Sequence, residues 1–198
     1  MTTASRRAEL KRQTRETEIS LALNLDGQGQ TTIKTGVGFM DHMLTLLAVH
    51  GFFDLTINAS GDTEVDDHHT VEDLGIVLGQ GCKQALTATA GIRRYGAAAV
   101  PMDETLVRVT LDISNRPYLH YGVELPDAKV GNFDTALAKE FLRAFAQHGG
   151  ITLHIELAHG DNSHHIIEAT FKALGRALDQ ATTLDQRLTG PLSSKGSL

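Results

Sequence analysis

The arrangement H-H-x-x-E occurs twice, as HHTVE at residues 68–72 and HHIIE at residues 164–168. The repetition does not stop there. With His68 laid over His164, Leu78-Gly79 falls on Leu174-Gly175 and Gln84-Ala85 on Gln180-Ala181. HMLTLLAVHGFFDLTI (42–57) lies over EFLRAFAQHGGITLHI (140–155), so that His50-Gly51 meets His148-Gly149 and Ile57 meets Ile155. Upstream, EISLALNLD (18–26) lies over ETLVRVTLD (104–112). A long repeat used twice restricts the fold more than any local motif, because each copy must be one supersecondary unit that buries its apolar face against the other.

Each copy reads as ββαβα. Its first strand alternates with period two, Leu21-Leu23-Leu25 in one copy and Val107-Val109-Leu111 in the other. QTTIKT and PYLHYGVE read as second strands, the first reached through the turn signal DGQGQ. A helix follows and stops at His-Gly, with Gly51 and Gly149 expected in the left-handed position past the helix end. His50 and His148 read as helix-end residues facing free carbonyls. A third strand and a long helix complete the unit, the long helices opening at Asp66/Asp67 and Asn162/Ser163. The reading is an α+β body of two halves, 1–92 and 93–198, joined by a link at roughly 91–103 and ending in a polar tail.

The two H-H-x-x-E segments sit at helix starts. Residues four apart share a helix face, whereas a neighbour lies about 100° round the axis. His68 therefore projects with Glu72, and His164 with Glu168, while His69 and His165 serve another side. Adjacent histidines of this kind fit two ions better than one. The repeat adds another pair of donors, because His42 aligns with Glu140. The pooled set is His42, His68, His69, Glu72, Glu140, His164, His165 and Glu168, four donors for each of two metals. Asp41, Asp66, Asp67 and Asp73 are the carboxylates at hand to steady the imidazoles. Imidazole plus carboxylate without thiolate suits Mn²⁺ or Fe²⁺, or a tetrahedral Zn²⁺, and not a zinc finger.

The rest of the composition narrows the class. The net charge is −6, which argues against a nucleic-acid groove or a membrane surface. No stretch approaches the ~20 apolar residues of a span, and the basic start leads into no apolar run, so the chain reads as cytoplasmic. Cys82 is the one cysteine, so no disulfide forms within the chain, and it reads as a small core residue. A second chemistry comes from Arg93 and Arg94 in GIRRYG, Arg116 in SNRPYL, Lys172 beyond Glu168, and Ser193, Ser194 and Lys195 in PLSSKG. These are groups for a phosphate, provided they converge.

FMDHML, DDHHTVED, GIRRYG, MDETL, NRPYL, ITLHI, NSHHIIEATFKALGRAL and PLSSKG together resemble the imidazoleglycerol-phosphate dehydratases of histidine biosynthesis. The resemblance runs from about Arg6 to the end. It implies a duplicated ββαβα fold of the ribosomal protein S5 domain 2-like type and two Mn²⁺ ions per active site. It also implies assembly from trimers into an octahedral shell of 24 subunits, with metal sites at subunit contacts. The metal ligands it implies are the eight side chains above, with glutamate at position 140 where many members carry histidine. Its substrate-binding positions are Glu16, Arg94, Arg116, Lys172, Ser193, Ser194 and Lys195. The implied substrate is an imidazole ring bearing a diol and a phosphate, and the implied chemistry holds that ring as an imidazolate, expels hydroxide and then removes a proton from the next carbon. Glu16 is the expected base, with Asp103 and Glu104 as rivals. From spacing alone, a dimetal phosphoesterase or a metal-assembled shell without catalysis stays open.

Overall fold

The computed structural model describes residues 6–87 and 91–195, so the first five residues and the last three of the tail lie outside it. The first half contains β1 (Arg7–Gln13), β2 (Thr17–Asn24), β3 (Thr31–Lys34), α1 (Gly38–Gly51), β4 (Asp54–Gly61) and α2 (His68–Leu86). The second contains β5 (Tyr95–Met102), β6 (Thr105–Ile113), β7 (Tyr118–Gly122), the small hairpin β8 (Lys129–Val130) and β9 (Phe133–Asp134), α3 (Ala136–Gly149), β10 (Ile151–His159) and α4 (Ser163–Thr182). The two large sheets have the same order, β1-β2-β4-β3 and β5-β6-β10-β7. The strands repeat too, but two residues away from the expected overlay of 18–26 on 104–112: Leu21 opposes Ile57 in one sheet, while Val109 rather than Val107 opposes Ile155 in the other.

Each half thus contains the expected ββαβα run, preceded by a strand the sequence did not announce. β1 and β5 pair antiparallel with β2 and β6 and stand at the sheet edges. Most of the expected link at 91–103 is strand β5. The alternation of β2 and β6 buries Ile19, Leu21 and Leu23 in one sheet and Val107, Val109 and Leu111 in the other. Fully burying one such side chain contributes roughly 1.5–3 kcal/mol.

The helices pack across the repeat, α1 against α4 and α2 against α3. The repeated glycines explain how closely. A Cβ on Gly175 would meet the Leu47 carbonyl oxygen at 2.4 Å, and one on Gly79 would meet the Phe145 carbonyl oxygen at 2.6 Å. Only a residue without a side chain lets these backbones touch. The crossings bring the starts of α2 and α4 beside α3 and α1.

The helix ends differ slightly from expectation. Gly51 and Gly149 are the last helical residues, and the left-handed position falls to Phe52 (φ 56°) and Gly150 (φ 67°). At α4 the cap is Asn162, whose side chain accepts from the His164 and His165 amides, while Ser163 is already helical. At α2 the His68 amide donates to Asp66, and Asp67 makes no such bond. His50 lies in the last turn of α1, where burial, then the charges of Lys172 and Arg176, lower its pKa. Cys82 is buried, and desolvation pushes its thiol up to about 12, as befits an inert core residue. Among the described residues no helix is long and apolar enough to cross a membrane.

Candidate metal centre

The tightest cluster of donors lies where α1 meets α4. His164 and Glu168 rise from one face of α4, and His42 reaches them from the first turns of α1. His42 Nε2 and His164 Nε2 each lie 3.2 Å from Glu168 Oε2. One donor atom from each of the three lies within 4.8 Å of the others. Glu168 is buried, and Lys172 Nζ holds its other oxygen, Oε1, at 2.6 Å. Burial alone would raise the pKa of this carboxyl. The hydrogen bonds from Lys172 and His42, with the Lys172 charge, overcome that and hold it at about 2. The cluster is therefore an ionised carboxylate facing two imidazole nitrogens.

The corresponding cluster lies where α2 meets α3, and it is looser. His68 Nε2 stands 4.0 Å from Glu72 Oε2. Glu140, the counterpart of His42, contacts Arg143, whose same nitrogen is 3.6 Å from Glu72 Oε1. Among the described residues only the α1–α4 cluster brings three donor atoms so close.

The second histidine of each doublet has other partners, as the helical angle predicts. His69 Nδ1 is 3.0 Å from Asp62 Oδ2 and 3.8 Å from Glu16 Oε2. His165 Nδ1 is 2.8 Å from Glu104 Oε2, and its Nε2 is 3.9 Å from Asp103. Hydrogen bonds to Asp62 and Glu104 raise the pKa of both rings. In return, bonds from His165 and Thr105 lower the Glu104 carboxyl to about 2. Glu16 and Asp103 occupy the turns between β1 and β2 and between β5 and β6. The edge strands missing from the sequence reading are thus what carry acidic groups to the second histidines.

None of the four carboxylates expected beside the imidazoles accepts from one. Asp41 accepts from the Thr35 amide and hydroxyl, Asp66 caps α2, and Asp73 binds Thr17 and Arg12. Asp62 and Glu104 do that work instead. Asp62 was missed because it lies in a loop; the only sequence hint for Glu104 was its place in MDET.

Five of the seven residues offered for a phosphate converge, Arg93 and Lys172 being the exceptions. Arg94, Arg116, Ser193, Ser194 and Lys195 line a cleft of about 750 Å³ with Tyr95, Pro191 and Leu192. Arg94 is fully engaged in it. Its guanidinium donates to both oxygens of Asp112, at 2.6 and 2.9 Å, and to the Leu192 carbonyl at 2.7 Å, so it fastens the tail. Arg116 is freer, 3.5 Å from Asp112 with its side chain 68% exposed. Lys172 does not line this cleft and sits on Glu168.

Comparisons with known proteins point to one family. A family model described as imidazoleglycerol-phosphate dehydratase matches residues 35–178. The imidazoleglycerol-phosphate dehydratase of Pelobacter propionicus is 61% identical over 194 residues, spanning 98% of this chain and 100% of that protein. That of Acetivibrio thermocellus is 58% identical over 193 residues, spanning 98% and 99%. The crystal structure of the Staphylococcus aureus dehydratase matches with a TM-score of 0.82 at 45% identity, over 89% of this chain and 98% of that one. The Pyrococcus furiosus structure, solved in complex with (S)-C348, gives 0.81 at 40% identity, over 96% and 100%.

Proposed function

Since the chain belongs to the imidazoleglycerol-phosphate dehydratase family, hydro-lyases of histidine biosynthesis, we propose that it converts imidazole-glycerol phosphate to imidazole-acetol phosphate and water, using two Mn²⁺ ions per active site. Glu168 carries the metal part of this reading. It is a buried, ionised carboxylate with two imidazole nitrogens at 3.2 Å from one oxygen. Nitrogen and oxygen donors without a thiolate fit Mn²⁺, which leaves positions open for a substrate.

In this reading His42, His164 and Glu168 hold one ion, and His68, Glu72 and Glu140 hold the other. His69 and His165 are the fourth ligands, offered to clusters of neighbouring copies in a cytoplasmic, octahedral shell of 24 subunits. Asp62 and Glu104, bonded to Nδ1 of these rings, leave Nε2 as the ligand atom and fix the ring orientation.

When bound, such ions supply the Lewis acidity that allows the substrate ring to be held as an imidazolate. The remaining tasks fall to the chain's own side chains. Arg116, Ser193, Ser194 and Lys195 grip the phosphate, and Arg94 acts by fastening the tail that supplies three of them. Lys172 keeps Glu168 ionised within its own chain and meets substrate only across a contact between copies. Holding the remote phosphate sets the ring and diol in place, the proximity contribution to rate. Once the ring has expelled hydroxide, a base must take a proton from the next carbon to give the enol that relaxes to the ketone. We assign Glu16, whose exposed carboxylate lies 3.8 Å from His69. Asp103 at the equivalent hairpin is the second choice. Glu104, held at about 2, has little affinity for a proton.

The test is removal of metal by chelation, with activity, metal content and particle size by light scattering followed before and after Mn²⁺ is restored. Loss and recovery of activity are expected. Full activity in the stripped protein would overturn the metal assignment.

A further inference from the structure

The two clusters differ in where their cation sits. At α1–α4 the cation is Lys172, bonded to Glu168 Oε1, behind the oxygen that faces His42 and His164. Its counterpart on α2 in the repeat is Ile76, so the α2–α3 cluster has no equivalent cation on that helix. Its cation comes from α3 instead. Arg143, one turn beyond Glu140, places a single guanidinium nitrogen against Glu140 Oε2 and 3.6 Å from Glu72 Oε1. The counterpart of Arg143 on α1 is Thr45, whose hydroxyl donates to the Asp41 carbonyl and leaves the cluster alone.

This difference follows from the substitution within the repeat. Glu140 stands where the other half has His42, so the α2–α3 cluster carries two carboxylates and one imidazole. The α1–α4 cluster has the reverse. Two carboxylates on facing helices repel each other unless a positive charge lies between them. Arg143 supplies that charge at the point where a divalent ion would also be drawn. Lys172, by contrast, leaves the donor-facing oxygen of its carboxylate free.

We propose that Arg143 is a built-in competitor for the α2–α3 metal site: it bridges Glu72 and Glu140 and must give way before an ion binds there. The two sites then fill in order, α1–α4 first. The proposal rests on the reading of both clusters as metal sites.

The experiment is a Mn²⁺ titration of the metal-stripped full-length protein, with free ion read from its electron paramagnetic resonance signal. The wild type should show two classes of site in equal number. Arg143→Met, which keeps an unbranched apolar stem and removes the guanidinium with its charge, should tighten the weaker class at least tenfold and leave the tighter class where it is. Arg143→Lys should stay close to wild type. Arg143 is more than half exposed, so these variants should fold. A weaker class that is unmoved or loosened by Arg143→Met overturns the proposal, loosening meaning that Arg143 orients Glu140 as a ligand. Absence of Mn²⁺ binding in the wild type overturns the metal reading itself, and the proposal with it.

Discussion

The α1–α4 and α2–α3 contacts are two versions of one design. Each sets an H-H-x-x-E helix against a shorter helix from the other half, and each uses a repeated glycine to bring the backbones together. They end in different electrostatics. The first gathers a buried carboxylate and two imidazoles, and the second gathers two carboxylates around an arginine. Duplication therefore preserved the scaffold while a few side chains retuned its charge. Helix crossing depends on small residues at the contact, whereas the charge of a cluster depends on single positions such as 42 and 140.

Removing the central carboxylate of the first contact should have the largest effect. Glu168→Ala takes away the donor shared by His42 and His164 and leaves Lys172, whose side chain is 17% exposed, without its ion-pair partner. Breaking one side of such a pair costs about 3 kcal/mol. Turnover should fall by roughly a thousandfold or more, on the scale of removing a group the transition state depends on. Glu72→Ala should also abolish turnover but lower stability by only about 1 kcal/mol or less, because Glu72 is 37% exposed. Urea denaturation beside kinetic assays separates the two, and equal stability losses would erase the distinction.

The scaffold itself should respond alike in both halves. Gly79→Ala and Gly175→Ala each drive a Cβ into a facing carbonyl, and overpacking of this kind costs about 1–3 kcal/mol. A large loss in one and none in the other would show that the two crossings are not equivalent.

A change in the phosphate cleft should leave both clusters untouched. Arg116→Ala should raise KM about 10- to 100-fold, the worth of one charge-assisted bond, with Mn²⁺ content unchanged. An unaltered KM would remove Arg116 from the grip.

The mildest prediction concerns pH. His69 and His165 have pKa values above the usual 6.5 because Asp62 and Glu104 favour their protonated forms. The stability from these ion pairs is fully present below pH 6.5 and disappears as pH rises through the raised values. Metal binding runs the other way, since a proton must leave first, so Mn²⁺ retention should decline as pH falls through the raised values. Asp62→Asn should move the midpoint of that decline to lower pH, as should Glu104→Gln. A metal-binding titration at a series of pH values checks both, and a midpoint that stays put would detach these carboxylates from the histidines.

Much of this architecture was legible in the order of residues. A helix places residues four apart on one face wherever it forms, so the pairing of His164 with Glu168 and the divergence of His165 followed from spacing. Alternation marked β2 and β6, and matched segments disclosed the duplication. The edge strands were not legible. RAELKRQ of β1 and YGAAAVPM of β5 carry few large apolar residues, and they are strands because β2 and β6 offer them a paired edge. Asp62 escaped, and Glu104 was legible only as a rival base and not as the partner of His165, for a related reason: a loop and a hairpin turn bring them to their histidines from outside the motif helix.

The sequence by itself determined the twofold repeat, the helical faces and the kinds of donor they present, because those depend on contacts between near neighbours in the chain. The tertiary structure alone decided which halves share a cluster, that Arg94 is bound to Asp112 while Arg116 is freer, and that Arg143 stands between two carboxylates. Those outcomes depend on how separate helices and strands cross, and that is settled by packing among residues far apart in the chain.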